Sequence, residues 1–70
     1  MKFVARAKLD TAAIRKQILL SGFTVRALAK KAGISMVTAY KAVRGDFVSV
    51  QTVRAIAEAF GVSPLEIVRE

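Results

Sequence analysis

Hydrophobic residues recur along this chain with helical spacing, in short segments that end at glycine. In the first segment Ile14 and Ile18 lie four residues apart and share a helical face, which Leu19 and Leu20 widen before Gly22. A glycine at this place favours the left-handed backbone that ends many helices. The pattern predicts an all-α domain of five compact helices, which begin near residues 11, 25, 36, 50 and 64.

Residues with a side-chain oxygen precede the predicted helices. Asp10 stands before the first helix and Ser49 before the fourth, where each can accept a backbone N–H as an N-cap. Gly61 follows the fourth helix, so residues 50–60 have a start and a stop signal. The residues of this helix that are predicted to face the core are Val53, Ile56, Ala57 and Phe60.

The last predicted helix has the most complete start signal in the chain. Ser63 supplies the cap, Pro64 suits the first helical position, and Glu66 completes an S-x-x-E capping box. We expect Leu65 and Val68, with Ile67 beside them, to close the core.

Residues 24–44, TVRALAKKAGISMVTAYKAVR, predict two short helices joined by a tight turn at Gly33. Small residues, Ala29 in the first helix and Ala39 in the second, permit a close crossing, and Ser35 can cap the second helix. The other residues expected to face inward are Leu28, Ala32, Ala42 and Val43. This arrangement is a helix-turn-helix, whose second helix can lie in the DNA major groove.

Residues 2–9, KFVARAKL, alternate with a period of two, which predicts a short strand with Phe3, Ala5, Ala7 and Leu9 on one side. Because GDFVS after Arg44 is predicted to be a loop, this strand has no expected partner within the chain. It is therefore either a flexible arm, which could touch DNA phosphates, or half of an intermolecular strand pair. The chain is divided into an N-terminal strand or arm, residues 1–9, and a helix-turn-helix domain, residues 10–70.

Composition argues against an enzyme and against a bound cofactor or metal. The 70 residues are 54% hydrophobic, enough for one small core, and they include no cysteine and no histidine. The commonest general base and metal ligand are thus missing, and the five carboxylates are scattered without an obvious pair. We predict no catalytic residues, no metal and no cofactor. A cysteine-free chain also fits a reducing cytoplasm.

The net charge of +7 is unevenly distributed. Ten of the twelve basic residues precede Gly45, where Asp10 is the only acidic residue. Such asymmetry favours a polyanionic partner, with nucleic acid first and an anionic membrane second. No apolar run approaches the roughly 20 residues of a membrane-spanning helix, so no membrane association is predicted.

The segment LAKKAGIS, then A-x-x-A-V-R-G and TVRAIAEAFGVSPLEI, resembles the lambda-repressor-like helix-turn-helix family of Cro/C1 or XRE type. The family ending T-x-x-x-I-A-x-A-(apolar)-G-V-S is matched by residues 52–63, and the resemblance covers about residues 10–68. Residues 24–45 also look like the start of lactose-repressor-type proteins, which share the broad fold. The chain departs from the family at Val25, where a phosphate-contacting glutamine is common, and at Ala39 and Val43.

The resemblance implies a five-helix DNA-binding domain and assigns roles to residues of the motif. Lys41 can donate to guanine O6 and N7, whereas Met36 and Val37 can pack on apolar groups such as the thymine methyl. These three residues are the predicted base contacts; the alternative for Met36 and Val37 is an ordinary exposed surface or a protein interface. The predicted phosphate contacts are Thr24, Arg26, Ser35, Thr38, Tyr40 and Arg44.

The resemblance further implies a transcriptional regulator, namely a Cro-type repressor that binds double-stranded DNA. Such a protein is prokaryotic or phage-encoded and acts in the cytoplasm, in association with the nucleoid. One or two hydrogen-bonding base readers discriminate poorly, so we expect a homodimer on a pseudo-palindromic operator. The N-terminal strand and the last helix are the candidate dimer surfaces. The alternative function is a protein-interaction module with a protein partner, such as the antitoxin of a toxin–antitoxin pair.

Overall fold

The computed structural model describes residues 5–69 and places a helical core beside a small antiparallel sheet. Strand β2 lies between the third and fourth helices, and a single 3₁₀ turn follows the fourth. In chain order the elements are β1 (Arg6–Lys8), α1 (Thr11–Ser21), α2 (Val25–Ala32), α3 (Met36–Arg44), β2 (Phe47–Ser49), α4 (Val50–Phe60) and the 3₁₀ turn (Pro64–Glu66).

The prediction of five α-helices is wrong for the last element. Residues 5–69 contain four α-helices, and the fifth predicted helix is a 3₁₀ turn of three residues. Its start signal is nevertheless present, since Ser63 N donates to Glu66 Oε2 at 2.9 Å and Leu65 N donates to Ser63 Oγ at 3.3 Å. A capping box determines where helical backbone begins, but it does not determine how far that backbone continues.

The predicted N-caps of the α-helices are confirmed by their hydrogen bonds. The Asp10 carboxylate accepts from Ala12 N at 3.0 Å at the start of α1. Ser35 Oγ accepts from Thr38 N, and Ser49 Oγ accepts from Thr52 N, each at 3.1 Å. Because the first N–H groups of a helix have no intrahelical partner, these side chains determine where α1, α3 and α4 begin.

The core lies where α2, α3 and α4 pack together with residues from both ends of the described chain. Ala29 and Ala39 are buried, as a close crossing of α2 and α3 requires. Buried apolar side chains supply most of the driving force of such a small domain. The largest of them are Leu9, Ile14, Leu28, Ile56 and Ile67.

The N-terminal strand has a partner within the chain, so the prediction of a lone strand is wrong. Strand β1 pairs antiparallel with β2, in a register that places Ala7 opposite Val48. Ala7 packs against the core and Val48 is buried, which covers the inner face of the sheet. Phe3, which was predicted on the same face as Ala7, lies outside the described residues.

A second segment joins the other side of the N-terminal strand region. Leu9 forms an antiparallel bridge with Val68, and Arg69 N donates to Lys8 O at 2.8 Å. Asp10 N donates to Ile67 O, also at 2.8 Å. The ends of the described chain therefore hold each other in place, and Leu9 is buried between them.

Three predicted core residues point to solvent instead. Leu19 and Leu20 are exposed because they lie beyond the Ile14–Ile18 stripe in the last turn of α1. Leu65 is 82% exposed, whereas Ile67, predicted to be secondary, is fully buried. The helical spacing of Leu65 and Val68 does not apply, because the 3₁₀ turn ends at Glu66 and the chain continues towards the bridge with Leu9.

The turn between α3 and β2 contains a glycine that has no room for a side chain. Gly45 has φ +88°, and a Cβ at this position would lie 2.9 Å from Thr11 Cγ2. Gly45 N donates to Ala42 O and Asp46 N donates to Lys41 O, which closes the end of α3. This turn leads the chain from α3 directly into β2, so the sheet lies beside the end of α3.

Candidate nucleic-acid interface

The packing of α3 on α2 leaves one face of α3 in solvent. Ala39 and Ala42 are fully buried on the inner face, in agreement with the predicted orientation. On the outer face Val37 is 66% and Tyr40 51% exposed, and the Lys41 side chain is also exposed. An exposed helix that is supported from behind by a second helix has the form of a recognition helix.

The three predicted base contacts lie on this helix, although they are not equally accessible. Val37 and Lys41 are exposed and four residues apart, so they share a helical face. Met36, the first residue of α3, is half-buried. Lys41 offers the hydrogen-bond donors of this face, and Val37 offers an apolar surface beside them.

Two hydroxyl groups lie at the start of α3 and are bonded to each other. Ser35 Oγ accepts from Thr38 N and donates to Thr38 Oγ1 at 2.9 Å. The Ser35 hydroxyl hydrogen is therefore already used, while the Thr38 hydroxyl hydrogen is available to an acceptor such as a phosphate oxygen. Ser35 and Thr38 are both predicted phosphate contacts, and in this arrangement Thr38 is the better donor of the two.

Two further predicted phosphate contacts, Thr24 and Arg26, are exposed at the start of α2. Thr24 is the N-cap of α2, and its Oγ1 accepts from Ala27 N at 3.1 Å. This bond uses a lone pair of the oxygen and leaves the hydroxyl hydrogen for a ligand. Arg26 is exposed two residues later.

Arg44, the last predicted phosphate contact, is bound to a carboxylate. Its Nη2 lies 2.8 Å from Asp46 Oδ2, and both side chains are at least half exposed. Exposed ion pairs contribute little to stability, so this one does not fix the Arg44 side chain. The carboxylate does lower the positive charge available at the end of α3.

Basic and aromatic residues of the sheet lie beside α3. The sequence left open that the N-terminal residues touch DNA phosphates as a flexible arm, but it did not indicate a position beside α3 or any part for Phe47. A shallow depression of about 280 Å³ is lined by Lys41 and Thr38 of α3 and by Arg6 and Phe47 of the sheet. A second depression, of about 310 Å³, is also lined by Arg6 and Phe47, and in addition by Lys8 and Arg69. The alternation of residues 6–9 signalled β1, but nothing local signalled that β1 would pair beside α3.

The described residues offer neither a membrane-spanning segment nor a metal site. No helix within residues 5–69 has the length and apolarity to cross a membrane. In the same part of the chain, no three His, Cys, Asp or Glu side chains come together to bind a metal ion.

Comparison with known proteins assigns the chain to a family. The sequence profile of the helix-turn-helix family HTH_3 matches residues 14–67, which is most of the chain. The chain belongs to this helix-turn-helix family, of the lambda-repressor-like or XRE type, which confirms the resemblance seen in its sequence. The family is one of DNA-binding regulators rather than of enzymes. No curated protein matches the sequence.

A solved structure supports the same fold. The chain is similar to the transcriptional regulator VanUg in its crystal form II, with a TM-score of 0.73. The superposition covers 99% of this chain and 91% of that one, at 19% sequence identity. At this identity the likeness describes the fold alone.

Proposed function

We propose that this protein is a sequence-specific transcriptional regulator, a Cro-type repressor that reads a pseudo-palindromic operator in double-stranded DNA through α3. The observation that supports this most is the exposed face of α3, where Lys41 and Val37 lie beside Thr38 and above the buried Ala39 and Ala42. The excess of basic residues up to Arg44 supplies the attraction to phosphate that such a domain needs. A prokaryotic or phage-encoded protein acting in the cytoplasm fits this proposal.

In the proposed complex Lys41 donates to a guanine, and Val37 and Met36 contact apolar base edges. Contacts to phosphates come from both helices of the motif and determine the orientation of α3. The residues proposed for these contacts are Thr24, Arg26, Ser35, Thr38, Tyr40 and Arg44.

We further propose that the protein acts as a homodimer. Each good base contact discriminates by about 1–3 kcal/mol, whereas specific sites exceed non-specific ones by about 4–10 kcal/mol, so a single α3 is insufficient. Two copies related by a two-fold axis read two half-sites about one helical turn apart.

An apolar groove between α4 and the 3₁₀ turn supports a dimer surface at the last element. The groove has a volume of about 440 Å³, and the exposed Leu65 stands at its side. A two-fold interface requires one patch that complements itself, and a projecting side chain beside a groove meets that requirement. The apolar lining residues are Ala7, Val50, Val53, Pro64, Leu65 and Val68.

The proposal is tested by selection from a pool of randomised duplexes at physiological salt. We expect an inverted repeat with half-sites about one helical turn apart. Enrichment of no sequence despite salt-sensitive binding would contradict specific recognition.

Two substitutions on α3 separate base contacts from phosphate contacts on the selected duplex. Lys41→Ala should relax the preference at one base pair of each half-site, at a cost of about 1–3 kcal/mol per contact. Arg44→Ala should weaken binding to all sequences. It should also lower the slope of log K against log salt by about 0.9, the contribution of one phosphate contact. If neither variant changes binding, α3 does not lie in the groove.

The second candidate function is a protein-interaction module, such as an antitoxin that holds a partner protein. The observation in its favour is the same apolar groove, since exposed apolar patches often mark protein interfaces. Selection of no operator, together with binding that depends weakly on salt, would move this candidate ahead of the regulator.

A further inference from the structure

We propose that the outer face of the β1–β2 sheet is a second DNA-contacting surface, which holds the phosphates of one strand beside the groove occupied by α3. This surface, the sheet face, consists of Arg6, Lys8 and Phe47, with Arg69 next to it. The inference rests on the proposed function, because it takes the position of the DNA from α3.

The orientation of the sheet face follows from the alternation of side chains along a strand. Ala7 and Val48 are paired and point to the core. Their neighbours in β1, Arg6 and Lys8, therefore point to the opposite side, as does Phe47, which is paired with Lys8. One face of a sheet of three-residue strands thus carries two cations and an aromatic ring.

The sheet face is continuous with the exposed face of α3. Arg6 and Phe47 line the same depression as Lys41 and Thr38, with no element between them. A polyanion that reaches Lys41 from solvent consequently also comes within reach of Arg6. From there the second depression continues past Lys8 to Arg69.

Among residues 5–69 no carboxylate lines either depression, and the charged residues that line them are Arg6, Lys8, Lys41 and Arg69. Two acidic residues stand close to the sheet face in sequence, and both have partners: Asp46, which precedes Phe47, is bound to Arg44, and Asp10, two residues after Lys8, accepts from Ala12 N at the start of α1. Glu70, which follows Arg69, lies outside the described residues. A row of cations along connected depressions attracts an extended anion, such as the backbone of DNA.

The exposed ring of Phe47 is covered by the ammonium group of Lys8, so it is not free to stack on an unpaired base. Lys8 Nζ lies 4.7 Å from the ring centroid, so the ammonium group covers a face on which a base would stack. This contact instead holds the Lys8 charge at a defined place on the sheet face. The ring serves as a support for a cation, although it is 58% exposed.

The test compares two double variants that remove the same charges. Arg6→Ala with Lys8→Ala removes one arginine and one lysine from the sheet face, and Arg15→Ala with Lys16→Ala removes the same pair from exposed positions on α1. The readout is the dependence of log K on log salt for the selected duplex. Since each phosphate contact contributes about 0.9 to this slope, the sheet variant should lower it by about 1.8 and the α1 variant should leave it unchanged.

The possible results separate the inference from the proposed function. If the wild-type protein selects an operator but the sheet and α1 variants have equal slopes, the inference is wrong while the proposed function stands. If the wild-type protein selects no operator, the proposed function fails. Thermal unfolding of both variants verifies that the substitutions leave the fold intact, as the exposed Arg6 side chain predicts.

A second measurement leaves the protein unchanged and alters the DNA. Methylphosphonate groups, which carry no charge, replace phosphates one at a time beside each half-site. We expect the wild-type protein to lose affinity at one or two positions that the sheet variant no longer distinguishes. Equal losses in both proteins at every position would overturn the inference, even if the sheet variant were less stable.

Discussion

At the scale of single residues, Gly45 constrains the fold more than the other glycines that end helices. Gly22 and Gly45 both have positive φ, but only Gly45 also lacks space for a side chain. The methyl group of Thr11 occupies the place where a Cβ would project. A residue of α1 thus helps to determine where α3 ends and β2 begins.

Gly45→Ala should therefore destabilise the protein more than Gly22→Ala. Both substitutions place alanine in the left-handed region, which costs about 1–2 kcal/mol, and Gly45→Ala adds a steric overlap that typically costs about 1–3 kcal/mol. Urea denaturation measures both free energies of unfolding. Thr11→Ser should recover part of the loss in the Gly45→Ala background, and equal losses for the two glycines would show that Thr11 moves aside freely.

Residue-scale chemistry was the part of the structure most accessible from sequence. A cap needs one oxygen and a few adjacent amides, so Asp10, Ser35 and Ser49 were predicted without knowledge of the tertiary fold. The hydrogen bond from Ser35 to Thr38 was not predictable, because it depends on the rotamers of two hydroxyl groups. Which side chains contact DNA stays a prediction.

At the scale of elements, the four α-helices and the first strand were predictable, whereas the pairing of β1 with β2 was not. Helical periodicity and caps act within one turn, whereas β1 and β2 acquire their partner from distant parts of the chain. Three residues of β2 contain too little alternation to indicate a strand. For the same reason the depression that joins Arg6 to Lys41 was not foreseen.

The register of the sheet predicts unequal effects on stability for acidic residues at adjacent positions of β1. Ala7→Asp places a carboxylate against Val48 and the core, which should lower the free energy of unfolding by about 1–3 kcal/mol. Arg6→Asp introduces the same side chain on the outer face and should leave stability nearly unchanged. A larger loss for Arg6→Asp, measured by urea denaturation, would mean that β1 is shifted by one residue.

At the scale of the whole molecule, the apolar and basic surfaces involve largely different elements, and only β1 contributes to both, with Ala7 in the groove and Arg6 and Lys8 on the sheet face. The groove is lined largely by α4 and the 3₁₀ turn, whereas the proposed DNA contacts come mainly from α2 and α3. Leu65 and Leu19 are exposed to nearly the same extent, 82% and 83%, but only Leu65 adjoins the groove. The two leucines therefore form a matched pair for testing the assembly.

Leu65→Asp should convert the proposed dimer to a monomer, because it places a charge in the proposed apolar contact. Leu19→Asp makes the same change on α1 and should leave the dimer intact. Sedimentation velocity distinguishes the two states. Dissociation by Leu19→Asp alone would move the interface to the end of α1, and a wild-type protein that sediments as a monomer would contradict the dimer itself.

The contact between the two ends of the described chain has a consequence for how the protein is made. The helix-turn-helix is complete in sequence at Arg44, but Leu9 gains its partner only when Val68 and Arg69 have been synthesised. Because chains emerge from the ribosome N-terminal end first, the motif leaves the exit tunnel while the core beneath it is still open on one side. A released chain that ends before Ile67 would contain the whole helix-turn-helix together with an uncovered Leu9. Such a product should be cleaved by proteases faster than a chain that includes residues 67–69.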